Sequence, residues 1–179
     1  TMSEEERLSV ISRVISCAKH RVPVIAGTGS NSTEGAASFT RKAAELGADG
    51  MLVVTPYYNK ATQNGLYEHY RAIATQTDQP VIMYNVPSRT GCNLLPQTAA
   101  RIAQDCPNIV GIKEASGNLS QVAHLAKLTQ GRLAIYSGND DQIVPVLSLG
   151  GVGVISVLSN VVPKETHEMV DSFLNGDLI

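Results

Sequence analysis

The segment Asn108-Ile109-Val110-Gly111-Ile112-Lys113-Glu114-Ala115 has the pattern of an apolar β-strand with a lysine near its carboxyl end. Side chains alternate along a strand, so Lys113 is predicted on the same face as Ile109 and Gly111. An apolar setting disfavours the ammonium form and lowers the pKa of a lysine. A neutral amine can condense with a ketone, which makes Lys113 a candidate imine-forming nucleophile. The alternative is an exposed strand-end lysine paired with Glu114.

Short apolar runs and helical stretches alternate along the rest of the chain. Strands are predicted at 22–26, 50–55, 80–84, 109–114, 133–137 and 152–157. Helices are predicted at 3–20, 32–46, 63–75, 96–104, 119–129 and 141–149, and a last helix near residue 163. This alternation predicts a parallel α/β sheet.

Polar residues follow several of these strands directly. In a parallel barrel the loops after the strands all open on the carboxyl-terminal face, where active sites lie, whereas an open doubly wound sheet offers a crevice. The spread over many loops favours the barrel. A closed (β/α)8 barrel needs eight strands and typically about 250 residues, so the six visible strands predict a partial barrel. We expect one domain over residues 1–179, as an internal piece of a longer protein.

Composition excludes several classes of function. The formal net charge of −2 and the lack of a basic stripe argue against nucleic-acid binding. The apolar runs are too short for a membrane span. Cys17, Cys92 and Cys106 are odd in number and have no C-x-x-C spacing, which argues against a disulfide framework or a zinc site. The acidic start is unlike a signal peptide, so a cytoplasmic location is expected. The four histidines form no metal-binding pair, which favours an imine over a metal ion as the electron sink.

The segment Tyr84-Asn85-Val86-Pro87-Ser88-Arg89-Thr90-Gly91 brings two further chemical groups to a strand end. Tyr84 is predicted on the inward face, where it could move protons. The alternative is a core tyrosine bonded to a backbone carbonyl. Arg89 lies in a stiff Pro/Gly turn and could bind a carboxylate. The alternative there is a surface arginine.

Two other loops are less specific. Tyr57 and Tyr58 are expected at a loop tip, where an interface, substrate gating and simple packing all remain open. The run 27–33 superficially resembles a phosphate loop but lacks the required glycine and lysine pattern. It is interpreted as a strand–turn–helix junction with Asn31 or Ser32 as the helix N-cap, and Asp140-Asp141 as another helix start.

Several of these stretches together resemble the bacterial dihydrodipicolinate synthase family, in the form found in Gram-positive, clostridium-like species. The resemblance covers essentially the whole chain. It rests on the stretches 22–29, 54–59, 84–91, 111–115 and 136–140. The Tyr-Asn-Val-Pro-x-Arg-Thr pattern at 84–90 is the most specific, since related lyases share the lysine but generally not this arginine loop.

The resemblance implies a reaction and a set of roles. Lys113 would form an imine with pyruvate, and Tyr84 would donate and accept protons. Tyr58 is similar to a relay residue that reaches into a neighbouring subunit, and Arg89 to the arginine that meets the carboxylate of L-aspartate 4-semialdehyde. The backbone carbonyl of Ile155 would line the pyruvate pocket. No cofactor or metal is implied, and the expected assembly is a homodimer or homotetramer.

The family's Gly-Thr-Thr-Gly-Glu segment is expected upstream of Thr1, and Thr1 itself is not interpreted as the relay threonine. The first two strands and the C-terminal helices are also expected outside the chain. Two alternatives stay open: a related pyruvate-dependent lyase acting on sialic acid or sugar keto acids, and an inactive truncated fragment.

The resemblance also bears on regulation by L-lysine. Asn31 and Tyr57 are similar to residues of the family's lysine-binding regulatory pocket. The glutamate expected beside them is replaced by Gly35, with Glu34 one position earlier. One residue along a helix is a rotation of about 100°, so weak or absent inhibition by lysine is predicted.

Overall fold

Six parallel strands form a single sheet in the computed structural model, which describes residues 2–177. Thr1 lies outside the described residues. The strands are β1 (Ile25–Gly27), β2 (Gly50–Val54), β3 (Val81–Asn85), β4 (Ile109–Glu114), β5 (Ala134–Ser137) and β6 (Gly153–Val154).

The strand order in the sheet is the order in the sequence, β1 to β6. Each crossover therefore adds the next strand on the same side. A doubly wound sheet reverses its strand order at a switch point, and this sheet does not. The architecture is that of a partial (β/α)8 barrel, as the distribution of polar loops predicts.

Helices connect the strands and cover one face of the sheet. They are α1 (Glu4–Ala18), α2 (Thr33–Glu45), α3 (Gln63–Ala74), α4 (Pro87–Thr90), α5 (Pro96–Asp105), α6 (Leu119–Thr129), α7 (Ile143–Ser148) and α8 (Pro163–Asn175). Ser3 and Glu6 form the predicted capping box of α1, and Ser32 caps α2. Strand residues such as Met51, Val53 and Met83 pack with these helices in the hydrophobic core. No helix within 2–177 is long and apolar enough to cross a membrane.

The outer parts of two predicted strands are not strand. The first strand starts at Ile25 rather than at residue 22, because Pro23 has no N–H and the Val24 amide donates to Asp49 Oδ2 (2.7 Å) instead of to a neighbouring strand. The last strand ends at Val154. The chain then leaves the sheet and forms a short 3₁₀ turn at Leu158–Asn160.

Two helical segments also differ from the prediction. The segment predicted as one helix at 141–149 is a 3₁₀ turn, Asp140–Gln142, followed by α7. Pro145 then lies in the first turn of α7, where its missing N–H has no intrahelical partner to lose. The stiff turn predicted around Arg89 is the single helical turn α4, which Gly91 ends at φ 69°.

The predicted facing of β4 is wrong at Ile109. The register with β3 shifts between Val81 and Ile82, so that Ile109 pairs with Val81 and Gly111 with Ile82. The shift leaves Ile109 on the side of Val81, in the core under the helices. Such a shift breaks the strict alternation of side chains, and no residue pattern in the strand predicts it. Gly111 and Lys113, beyond the shift, keep their predicted face.

Candidate active site

A row of paired residues crosses the face of the sheet opposite the helices. Val54 pairs with Tyr84, Tyr84 with Lys113, and Lys113 with Tyr136. Partners in a parallel ladder point to the same side of the sheet. The two sequence-predicted groups, a phenol and an amine, therefore lie side by side at the carboxyl ends of β3 and β4.

Lys113 is buried, with only 8% of its surface exposed. Its Nζ lies 4.3 Å from the centroid of the Tyr84 ring. Burial lowers the pKa of Lys113, and the charge of Asp140 partly opposes that shift. None of the ion pairs formed within residues 2–177 includes Lys113. The exposed lysine paired with Glu114 is therefore not what the structure contains.

An open cavity of about 370 Å³ lies beside this pair. Tyr84 and Arg89 line it together with Leu52, Val54 and Tyr57. Lys113 is not among its lining residues, but its Nζ lies against the Tyr84 ring, which is one of them. Burial raises the pKa of Tyr84, and the positive charge of Arg89 acts in the opposite direction. The cavity thus brings a phenol and a guanidinium to one mouth, next to a buried amine.

The loop after β2 presents the two adjacent tyrosines. Tyr58 is 88% exposed and Tyr57 is 41% exposed. Tyr58 has a φ of 73°, in the left-handed region that is rare for a bulky residue. Its amide donates to the Thr90 carbonyl oxygen at 3.1 Å, which ties this loop to α4. The backbone of this loop is thus fixed at Tyr58, while the Tyr58 side chain lies almost fully exposed.

Asp140 lies in the loop after β5 and Ile155 in the loop after β6, and hydrogen bonds join these two loops. The Ile155 amide donates to Ser137 O at 2.9 Å. Asp140 Oδ2 accepts from the amides of Val157 (3.2 Å) and Leu158 (3.0 Å), which removes these amides from any further strand pairing. The Ser156 hydroxyl and these amides hold the pKa of Asp140 below its usual range. The sequence identified Asp140 only as a helix start and missed this role in the β6 loop.

Asn31 lies in the loop before α2. Its carbonyl oxygen accepts from Asn59 Nδ2 at 2.9 Å, so this loop is joined to the one that carries Tyr57. Glu34 is exposed on the first turn of α2, and the Gly35 amide donates to the capping hydroxyl of Ser32 at 3.2 Å.

Two residues near Lys113 were not identified from the sequence. A β-carbon at Gly138 would lie 3.2 Å from Lys113 Cε and 2.6 Å from Ala115 Cβ. The Tyr136 ring occupies the space beside Gly111, where a β-carbon would meet its Cε2 at 3.3 Å. The Tyr-Ser-Gly pattern at 136–138 places both residues at a strand end. Their position beside Lys113 depends on the register between β4 and β5, which the sequence does not predict.

These features define the class of the chain: a partial (β/α)8 barrel with a lysine-centred site at the carboxyl ends of its strands. A model of the dihydrodipicolinate synthetase family matches residues 1–179. The chain belongs to that family.

Individual relatives agree with this assignment. The 4-hydroxy-tetrahydrodipicolinate synthase of Lachnoclostridium phytofermentans is 59% identical over 177 residues, which cover 99% of this chain and 60% of that protein. A crystal structure of dihydrodipicolinate synthase from Thermotoga maritima superposes with a TM-score of 0.96 at 48% identity, covering 99% of this chain and 61% of that one. The enzyme of Cyanidioschyzon merolae with lysine bound gives a TM-score of 0.95 at 46% identity, covering 98% of this chain and 59% of that one. The chain spans about 60% of the length of the curated relatives it matches.

Proposed function

We propose that the full-length protein condenses pyruvate with L-aspartate 4-semialdehyde to 4-hydroxy-tetrahydrodipicolinate, in lysine and diaminopimelate biosynthesis. The observation that carries the proposal is the buried Lys113 amine beside the Tyr84 ring, with Arg89 at the same mouth. The three free cysteines suit the cytoplasmic location that forms part of the proposal.

The chemistry follows from the neutral amine. Lys113 Nζ attacks the pyruvate ketone, and loss of water leaves an imine. The imine loses a methyl proton to become an enamine, whose carbon forms a bond to the aldehyde carbon of the second substrate. The amine of that substrate then displaces Lys113 and closes the ring. Tyr84 moves protons in these steps, and no step needs a cofactor.

The remaining site residues have supporting roles in this proposal. The carbonyl oxygen of Ile155 lines the pyruvate pocket, and it accepts no hydrogen bond from any residue within 2–177. Tyr58 serves the site of a neighbouring copy in a homodimer or homotetramer, which suits its 88% exposure. The reaction is tested by incubating full-length protein with both substrates and identifying the product. Cleavage of sialic acid or of a sugar keto acid in place of this condensation would favour the related lyases.

Arg89→Ala should lower kcat/KM for the aldehyde by at least about tenfold, since loss of a charged partner for a desolvated carboxylate costs about 2–5 kcal/mol. Formation of the pyruvate imine should stay close to that of the unmodified enzyme. Steady-state kinetics and borohydride trapping measure the two effects separately. Arg89→Lys should be intermediate, because it keeps the charge but loses the fork geometry.

The matched control is Arg71→Ala, which removes an exposed arginine paired with Glu68. Its effect on both measurements should be small, because exposed ion pairs contribute only about 0–1 kcal/mol. If Arg89→Ala reduces imine trapping as much as it reduces use of the aldehyde, the role assigned to Arg89 is wrong.

We further propose that Asn31 and Tyr57 are remnants of a lysine-binding regulatory site that has lost its carboxylate. L-lysine should then bind the full-length enzyme only weakly, with a dissociation constant of about 1 mM or higher. A dissociation constant of 1 mM corresponds to a binding free energy of about −4 kcal/mol. Gly35→Glu should increase sensitivity to lysine, because a β-carbon there meets Ser32 Cβ and Oγ only at 3.4 Å. Gly35→Ala is the control, and its sensitivity to lysine should equal that of the unmodified enzyme. Submillimolar inhibition of the unmodified enzyme would show that Glu34 or another group supplies the carboxylate.

A further inference from the structure

Glu114, the residue after Lys113, is buried with no cationic partner among residues 2–177. It is 3% exposed, and none of the ion pairs within 2–177 includes it. Its Oε1 accepts from the Ser116 amide (2.7 Å), its Oε2 accepts from Gln121 Nε2 (3.2 Å), and Asn85 Nδ2 contacts both oxygens at 3.2 and 3.0 Å. A buried carboxylate requires such donors, because losing its hydration without them is strongly unfavourable.

The carboxylate fixes the orientation of the amides around it. It can only accept hydrogen bonds, so the NH₂ groups of Asn85 and Gln121 must face it. The oxygen of Asn85 then accepts from the Leu94 amide (2.9 Å), and the oxygen of Gln121 accepts from Asn93 Nδ2 (2.9 Å). Asn93 Oδ1 in turn accepts from Asn85 Nδ2 (2.9 Å). One charge therefore sets the direction of the whole network, which we call the Glu114 cluster: Asn85, Asn93, Glu114 and Gln121.

The cluster lies directly behind the two central residues of the site. Asn85 pairs with Glu114 in the register, one step beyond the pair of Tyr84 and Lys113. Neighbouring residues in a strand point to opposite faces. The contact between Asn85 and Glu114 on the helix side therefore joins the strand ends that carry the phenol and the amine on the other side.

The cluster also holds the segment that follows Arg89. After α4 the chain turns at Gly91 and runs through Asn93 and Leu94, and both residues are bonded to cluster side chains. One end of this segment is thus fixed by the cluster, and the Arg89 turn extends from it.

We propose that the Glu114 cluster positions Lys113, Tyr84 and Arg89 for the condensation, with Glu114 as the residue that sets its geometry. The inference rests on the proposed function. Glu114 and its partners touch no substrate. They act through the strand ends and through the 91–95 segment, which follows α4 and the Arg89 turn.

Glu114→Gln in the full-length enzyme tests the proposal. Glutamine keeps the size and shape of Glu114 but replaces one carboxylate oxygen by an NH₂ group. That NH₂ group must face a hydrogen-bond donor, so the orientations of the Asn85 and Gln121 amides are no longer fixed. The rate of pyruvate imine formation, measured by quenching with borohydride, should fall by about tenfold or more, because small displacements of reacting groups cost up to about 10²-fold. The exchange Glu114→Gln/Gln121→Glu keeps one carboxylate and one amide in the cluster and should recover part of that loss.

The matched control is Asn108, the residue that directly precedes β4, at the end of the strand opposite to Glu114. Asn108 Nδ2 donates to the carbonyl oxygens of Ala74 and Thr77, both at 2.9 Å. Asn108→Ala should lower the melting temperature without changing the rate of imine formation. Asn93→Ala provides a milder second variant. It removes the Asn93 side-chain bonds that hold the 91–95 segment to Asn85 and Gln121, but it keeps the bond from the Leu94 amide to Asn85 and leaves Glu114 with Asn85, Gln121 and Ser116. It should raise KM for the aldehyde while leaving imine formation nearly unchanged.

The outcomes separate the two proposals. If the unmodified enzyme gives no pyruvate adduct, the proposed function fails. If it gives the adduct, and Glu114→Gln behaves like Asn108→Ala, with reduced melting temperature and normal imine formation, the cluster is merely structural. If Glu114→Gln does not fold, Asn93→Ala decides, and an unchanged KM for the aldehyde overturns the positioning role.

Discussion

Borohydride treatment of the full-length protein in the presence of pyruvate should attach the reduced pyruvate group to Lys113 and to no other lysine. Lys113 is 8% exposed and its pKa is lowered by burial, so at neutral pH it holds more neutral amine than an exposed lysine. Only the neutral form attacks a ketone. Mass spectrometry of peptides from the trapped protein locates the adduct.

Lys113→Ala should abolish the adduct and lower kcat/KM by at least about 10³-fold, as removal of a nucleophile does in other enzymes. Lys164→Ala is the control, since the side chain of Lys164 is 80% exposed on α8. Because the pKa of Lys113 is lowered, the trapping rate should reach its plateau at a lower pH than for a free lysine side chain. A pyruvate-dependent adduct on another lysine would refute the assignment.

The sequence predicts the parts of this site that depend on local alternation. Tyr84 lies opposite the core residues Val81 and Met83, and Lys113 lies opposite Ile112, as period-two patterns require. Alternation fails at Ile109, where the register shift adds a residue that only the partner strand reveals. The fold class is predictable for the same reason, since strand–helix alternation is a local property.

Features that depend on contacts between distant segments are not predictable in this way. The Asp140 carboxylate bonds amides of residues 157 and 158, and the sequence indicates only that an acid lies at a helix start. Glu114 is adjacent to Lys113 in β4, and strand alternation alone places the two side chains on opposite faces of the sheet, which argues against the pairing of Glu114 with Lys113. Its actual partners, Asn85 and Gln121, come from two other elements.

Gly138→Ala should strongly impair both stability and catalysis, because no space exists for a β-carbon at this position. The new methyl group would lie 2.6 Å from Ala115 Cβ, 3.2 Å from the Glu114 carbonyl oxygen and 3.2 Å from Lys113 Cε. Ala115 has no flexible side chain that could move away, so the backbone after β4 must shift. Overpacking of this kind costs about 1–3 kcal/mol, and displacement of Lys113 should lower kcat by about 10²-fold.

A second substitution identifies the cause of that loss. Ala115→Gly removes the methyl group that makes the shortest contact, so Gly138→Ala/Ala115→Gly should recover part of both the melting temperature and kcat. Gly35→Ala is the matched control: its β-carbon meets nothing closer than 3.4 Å, and alanine favours the helix by up to about 1 kcal/mol. Thermal melts and imine trapping measure the two effects. Normal trapping in Gly138→Ala would mean that the strand ends around Lys113 can move without loss of chemistry, which contradicts the tight packing that this geometry requires.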